Sequence, residues 1–172
     1  IDGSKEKTII SIPGNPIHAV EFSPDGKLLI IGDERGFVKF WDLSQSKFIH
    51  EFSAHKGRVS DIEFSNNGAL LATSSLDRTI QMWVMSKLEE LPVKMSDNDA
   101  YVWDIEFTPD SNYILAACAD GEIRKWPTNP EIMAKDMCNM LERNFTQDEW
   151  KTYVGNDLEF ENTCINLLLE DY

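Results

Sequence analysis

Basic residues are scarce in this chain: 16 Lys and Arg stand against 30 Asp and Glu, a formal net charge of −14 over 172 residues. Affinity for nucleic acid comes mostly from neutralising phosphates, so this balance argues against a DNA or RNA partner, and against docking on anionic lipid. Long apolar runs are missing too, and no membrane span is expected. The first residues, IDGSKEKTII, lack the apolar stretch of a signal peptide. Three cysteines do not make a disulfide framework, and the expected compartment is a reducing cytoplasm. Catalytic signatures are also absent. There is no P-loop, no Gly-x-Ser-x-Gly, no Cys-x-x-Cys and no zinc-binding helix, so neither cofactor nor metal is expected. Asp97-Asn98-Asp99 lacks the spacing of a calcium loop and reads as a turn. Asn144-Phe145-Thr146 matches a glycosylation sequon, which is discounted without a secretory signal.

What the chain does have is a repeat. VEFSPDGKLLIIGDERGFVKFWDL (20–43), IEFSNNGALLATSSLDRTIQMWVM (62–85) and IEFTPDSNYILAACADGEIRKWPT (105–128) share one pattern. Phe22, Phe64 and Phe107 are 42 and 43 residues apart, and so are Trp41, Trp83 and Trp126. In the middle copy Val59, Ile62 and Phe64 point inward from a first strand. Asn66-Asn67-Gly68 turns the chain, since Asn and Gly tolerate positive φ. Leu70 to Thr73 forms a second strand, Leu76-Asp77-Arg78 a second turn, and Ile80 and Met82 share one side of a third strand. A fourth is expected at Glu89–Val93. Short strands at this spacing predict an all-β fold.

A period of this length ending in Trp or Trp-Asp resembles the WD-repeat family, whose unit is one four-stranded propeller blade. The resemblance implies three WD-type blades over 1–128, with repeats at about 13–54, 55–97 and 98–128, and with 6–12 as an outer strand of a preceding blade. Three blades fall short of the roughly four to eight of a closed ring. Two expectations follow: either the chain is part of a longer propeller whose preceding blades complete it, or two copies pair head to tail. The family also has a buried hydrogen-bonding tetrad, which carries over to His55, Thr73, Asp77 and Trp83. Its role is structural, holding a blade together. The first copy departs from it, with Pro13, Ile31 and Arg35 at the His, Thr and Asp positions. The third keeps Asp120 and Trp126 but has Asn98 for His and Ala116 for Thr.

After Pro130 helical spacing takes over. Asn129-Pro130 reads as a cap followed by Pro at the first position of a helix over about 131–142, with Ile132, Met133, Met137, Met140 and Leu141 as its apolar stripe. Thr146 and Glu149 form a capping box for a second helix carrying Trp150, Tyr153 and Val154, stopped by Gly155. Residues 129–172 are thus a helical, acidic cap; ten acids against three bases in 131–172 supply half the net charge. Arg143-Asn144-Phe145-Thr146, Glu149-Trp150, Tyr153, Gly155 and Thr163-Cys164 with Asn166-Leu167 resemble the segment that closes many bacterial WD-repeat signalling proteins. There the propeller usually follows a nucleotide-binding, caspase-like or kinase domain. Cys138 and Cys164 either pair, pinning the last segment to the first tail helix, or stay as two buried thiols. Cys118 reads as core.

The resemblance implies a non-catalytic protein–protein interaction module, a sensor or scaffold part of a larger signalling protein, binding protein partners on the propeller top face. The alternative is a structural, oligomerising or autoinhibitory role toward an upstream catalytic or nucleotide-binding domain. By family register the contact positions are Pro16, His18 and Glu34 in the first blade, Arg58, Ser60 and Leu76 in the second, and Tyr101, Trp103 and Ala119 in the third.

Overall fold

A computed structural model describes residues 10–155, 159–161 and 164. The chain divides into two compact units, Ile1–Trp126 and Pro127–Tyr172.

The first unit holds three antiparallel sheets, each folding as an up-and-down meander. Strands β1 (Ile17–Phe22), β2 (Leu28–Asp33), β3 (Phe37–Asp42) and β4 (Lys47–Ser53) make the first. Strands β5 (Val59–Phe64), β6 (Leu70–Ser75), β7 (Ile80–Val84) and β8 (Val93–Met95) make the second. Strands β9 (Val102–Phe107), β10 (Tyr113–Cys118) and β11 (Ile123–Pro127) make the third. Together they form an open, partial propeller of three blades, mostly β with two short helices in the second unit.

The repeat sets the turns as well as the strands. Between the first and second strand of each blade, one amide closes a tight turn: Gly26 N–H on Ser23 O (2.8 Å), Gly68 N–H on Ser65 O (2.7 Å) and Ser111 N–H on Thr108 O (2.7 Å). The hydroxyls of Ser23, Ser65 and Thr108 reach Asp25, Asn67 and Asp110 at 2.7, 2.9 and 2.6 Å. Such side chains favour turns because they supply local acceptors and donors that the bent backbone needs.

Apolar residues of adjacent blades meet in two clusters. Ile30, Val38 and Phe40 of the first blade pack with Val59, Ile62, Phe64, Leu71 and Trp83 of the second. Ala72, Ile80 and Met82 of the second pack with Val102, Ile105, Phe107 and Ile114 of the third. Each fully buried aliphatic contributes about 1.5–3 kcal/mol. The first junction also demands a glycine. Gly36 has φ +84°, and a Cβ there would lie 2.3 Å from the His55 carbonyl oxygen. With no side chain in the way, Gly36 O accepts from both Ala54 and His55 N–H at 3.0 Å.

Two expected strands differ. The outer strand of the second blade is Val93–Met95 rather than Glu89–Val93. A 3-10 turn at Met85–Lys87 and the missing N–H of Pro92 delay pairing until Met82↔Val93. Of the expected outer strand at 6–12, residues 6–9 lie outside the described residues. Ile10 to Ile12 are not a strand; Ile12 O accepts from Asn15 N–H at 3.2 Å across a turn at Gly14.

The second unit carries α1 (Pro130–Met140) and α2 (Gln147–Tyr153). Asn129 caps α1 by accepting from Ile132 N–H at 2.9 Å. Thr146 and Glu149 form the capping box of α2. Arg143 grips Glu149 with two nitrogens, each at 2.7 Å. Met133, Met137 and Met140 are exposed, so the α1 stripe is not a buried one.

Candidate functional site

One hydrogen bond recurs at the same end of every blade. Glu34 N–H donates to Pro16 O (2.9 Å), Leu76 N–H to Arg58 O (3.1 Å) and Ala119 N–H to Tyr101 O (2.8 Å). It ties the start of each first strand to the turn after the second strand. The nine contact positions expected from the sequence therefore gather as three triplets, one per blade.

Their chemistry differs from blade to blade. His18 Nε2 sits 2.6 Å from Glu34 Oε2, so these two engage each other. Ser60 is spent within the fold: its hydroxyl donates to Val102 O at 2.6 Å and lies 2.9 Å from Ser74 Oγ. Arg58 and Leu76 are half-buried, and Pro16 and Ala119 are exposed. Tyr101 and Trp103 are 46% and 47% exposed, with ring centroids 6.1 Å apart at 74°. Edge-to-face rings that are half in water are what partner anchors look like. Beside them Arg78, Asp99, Ala100, Tyr101, Ala119 and Asp120 line an open depression.

Carboxylates follow the first strands: Glu21 on β1, Asp61 and Glu63 on β5, and Asp104 and Glu106 on β9. Burial, then the charge of Glu106, raises the Glu21 pKa. Burial, with lesser help from Asp104 and Glu21, pushes Asp61 up to about 6. Burial and the charges of Glu106, Glu21, Asp61 and Asp104 push Glu63 up to about 7. Among the described residues no group of three or more His, Cys, Asp or Glu is arranged to hold a metal ion.

The His55 cluster is enclosed. Thr73 Oγ1 lies 2.8 Å from His55 Nε2, and Asp77 lies 3.3 Å from Nδ1. Thr79, two residues after Asp77, sits 3.0 Å from Nδ1 and donates to Asp77 Oδ1 at 2.6 Å. Nδ1 thus faces the Asp77–Thr79 pair, and Nε2 faces the Thr73 hydroxyl, which can donate or accept. Burial raises the Asp77 pKa, but bonds from His55, Thr79 and the Lys56 N–H outweigh it and hold the carboxyl well below its usual range. Trp83 corrects the expected tetrad. It is buried but packs on Phe52, with ring centroids 5.0 Å apart, and no hydrogen bond joins it to Thr73 among the described residues. Thr79 takes the fourth place.

Sequence reasoning missed the interior of the first blade. Asp33, fully buried, accepts from the N–H of Arg35 (2.9 Å) and Phe37 (3.0 Å) and from the Asn15 amide. Lys39 Nζ lies 3.6 Å from Asp33 and 2.8 Å from Glu51. A lysine framed by Val38 and Phe40 was the available signal. In the third blade Asp120 pairs with Arg124 at 2.7 Å, while Asn98 donates to Arg78 O at 3.1 Å. In the second unit Cys138 and Cys164 form a disulfide, with Cα atoms 5.4 Å apart. Buried Asn144, the sequon residue, clamps Cys164 by donating to its carbonyl (3.0 Å) and accepting from its N–H (2.9 Å). Cys118 is a buried free thiol.

A family model described as WD domain, G-beta repeat matches residues 6–42, 46–84 and 90–127. The chain is 34% identical over 102 residues to Pre-mRNA-processing factor 19 homolog 2 of Arabidopsis thaliana, covering 59% of this chain and 19% of that protein. It is 33% identical over 111 residues to DDB1- and CUL4-associated factor 10 of Homo sapiens, covering 64% and 20%. It is 30% identical over 112 residues to Periodic tryptophan protein 2 homolog of Schizosaccharomyces pombe, covering 62% and 12%. The matched region is thus a fifth or less of each relative. All three come from eukaryotes, and they lend no support to a bacterial signalling context.

Proposed function

The chain belongs to the WD-repeat family, and from that premise we propose that it recognises protein partners on the face bearing the three triplets, without catalysing a reaction. WD repeats generally mediate protein interactions, and the relatives are named as processing and associated factors. The observation that carries the reading is the half-exposed Tyr101–Trp103 pair, held by the recurring loop-to-turn bond. Tyr101 and Trp103 are the anchors. Arg78 lies beside Tyr101 in the depression, and the acidic first strands favour a basic segment over an acidic one. A sensor or scaffold role in a larger signalling protein, suggested by the tail residues alone, and a cytoplasmic setting belong to this same proposal.

A displayed library of random peptides, selected on the immobilised chain, tests it. Enriched peptides should lose about tenfold in affinity on Trp103→Ala, the scale of an interface anchor, and keep it on Lys47→Ala in the outer strand β4. No enrichment, or enrichment indifferent to Trp103, would remove the reading.

A further inference from the structure

The helices of the second unit are short and have no buried side. α1 has 11 residues and α2 has 7, and neither contains a buried residue. Isolated helices shorter than about 12–15 residues are marginal in water, so something other than propensity or an apolar face must hold these two. Among the described residues of the unit, those that are buried are Thr128, Asn144 and Cys164. Two of them meet at one point. Cys164 is 3% exposed, is bonded to Cys138 of α1, and is gripped by Asn144 through both its N–H and its carbonyl.

The grip continues into the second helix. Arg143 donates to the Asn144 carbonyl at 3.0 Å and to both oxygens of Glu149 at 2.7 Å. Glu149 is the carboxylate of the α2 capping box and accepts from Thr146 N–H at 2.9 Å. One covalent bond therefore heads a line of contacts that runs from Cys138 in the last turn of α1 through Cys164, Asn144, Arg143 and Glu149 to the first turn of α2. The bond spans a sequence separation of 26 residues. Breaking it returns the conformational freedom of that loop to the chain.

We infer that the Cys138–Cys164 disulfide is a redox-operated latch: oxidised, it holds the second unit assembled; reduced, it frees α1 from the clamp at Cys164 and the unit opens. In the cytoplasmic setting proposed above, on which this reading rests, a disulfide is transient and redox-responsive and not a permanent staple. The step is exchange with glutathione or a small dithiol. A thiolate attacks Sγ of Cys138, since Cys138 is half-buried and Cys164 is enclosed. The S–S bond breaks, and Cys164 leaves as a thiolate that takes a proton from water. A second thiol resolves the mixed disulfide, freeing Cys138 and leaving the reductant as its own disulfide. Two electrons pass to the protein, and glutathione disulfide takes them back by the reverse path. Cys118 has no share in this, as a buried free thiol of the first unit. The partner positions from Pro16 to Ala119 also lie in the first unit, so the latch and the partner face fail separately.

The full 172-residue chain, equilibrated in glutathione buffers from fully oxidised to mostly reduced, tests it. The thiol count should rise from the single free Cys118 to all three cysteines as the buffer becomes reducing. Trypsin should cut after Arg143 and Lys151 about tenfold faster in the reduced chain, because cleavage follows the population of the open form, and cut within 17–126 at an unchanged rate. Reoxidation with glutathione disulfide should restore protection. Cys164→Ser should be cut at the fast rate in every buffer, and Cys118→Ser should behave as the parent. A bond that survives the reducing buffers is a permanent staple, and three thiols throughout mean that it does not form. Equal cleavage of both states means that it holds nothing shut. Any of these three results overturns the latch.

Discussion

The first and second blades solve one problem with opposite chemistry. Both enclose polar groups where second and third strands meet the turn between them. The second does so with a chain of side-chain hydrogen bonds, Thr73–His55–Asp77–Thr79, built around one carboxylate. The first uses an ion pair, Lys39 with Asp33, reached also by Asn15 and two turn amides. The apolar frame around them is the same. Burial of Phe40, Ile62 and their neighbours defines the blade, and the polar interior varies so long as each buried group finds a partner. The two solutions should fail differently.

The largest loss is expected in the first blade. Asp33→Ala removes the acceptor of two backbone amides and leaves Lys39, whose side chain is 9% exposed, with Glu51 as its one anionic partner among the described residues. The cost should be about 4 kcal/mol, the scale for breaking one side of a buried pair. Neutralising both partners, as Asp33→Asn with Lys39→Met, should recover most of it. Chemical denaturation of the three proteins measures this; a double variant as weak as the single one would show that the charge pair is not the cause.

In the second blade His55→Ala should cost less, about 3 kcal/mol, by leaving Thr73 and one side of Asp77 short of partners. Asp77 keeps its bonds from Thr79 and the Lys56 N–H, which softens the loss. Asn98→Ala in the third blade removes only the donors to Arg78 O and Met95 O, and should cost about 1 kcal/mol. Equal melting temperatures for the His55 and Asn98 variants would refute the ranking.

Within the second blade, carboxylates respond to pH in opposite directions. The Asp77 carboxyl is held below its usual range, so its contribution is present above the unfolded value and is lost as pH falls through the folded one. Glu63 is displaced the other way, from 4.5 to about 7. Between those values the folded chain binds more protons than the unfolded one, so stability falls as pH rises across that window. Asp61, at about 6, adds to the same slope. Glu63→Gln removes the proton dependence along with the repulsion from Glu21, Asp61, Asp104 and Glu106. It should raise the melting temperature by a few degrees at pH 7.5 and leave it nearly unchanged at pH 4.5. A rise of equal size at both would assign the effect to packing.

The frame was legible in the sequence, and the interiors much less so. Phe22, Phe64 and Phe107 with the three Trp anchors fixed where first and third strands run, because their spacing is that of the blade itself. His55, Thr73, Asp77 and Trp83 were all carried over through family register, and Trp83 departs from it. The fold uses that ring for packing on Phe52. Thr79 was missed because its role comes from a turn that folds its hydroxyl back on Asp77. Lys39 was missed because a strand residue between two apolar ones reads as solvent-facing until the outer strand supplies Glu51. The disulfide stayed open between two readings, since spacing alone does not bring Cys138 to Cys164; Asn144 holding the Cys164 backbone does.

The smallest expected effect sharpens the comparison most, because it has the opposite sign. The turn between second and third strands needs positive φ in all three blades. Gly36 (+84°) and Gly121 (+86°) supply it without strain, but the second blade has Arg78 at +69°. A side chain in that region costs about 1 kcal/mol, from its Cβ against the carbonyl oxygen. The blade with the most complete buried network thus carries a strained residue at its exposed tip. Arg78 lines the depression beside Tyr101 and Asp99, on the face proposed for partners. Strain of this kind persists where the side chain is used. Arg78→Gly should therefore stabilise the fold by about 1 kcal/mol and weaken the peptides selected on that face. Thermal melting and peptide affinity, measured on the same protein, separate the two effects. Stabilisation without loss of affinity would leave Arg78 outside the binding face, and no stabilisation would mean the turn holds no strain to release.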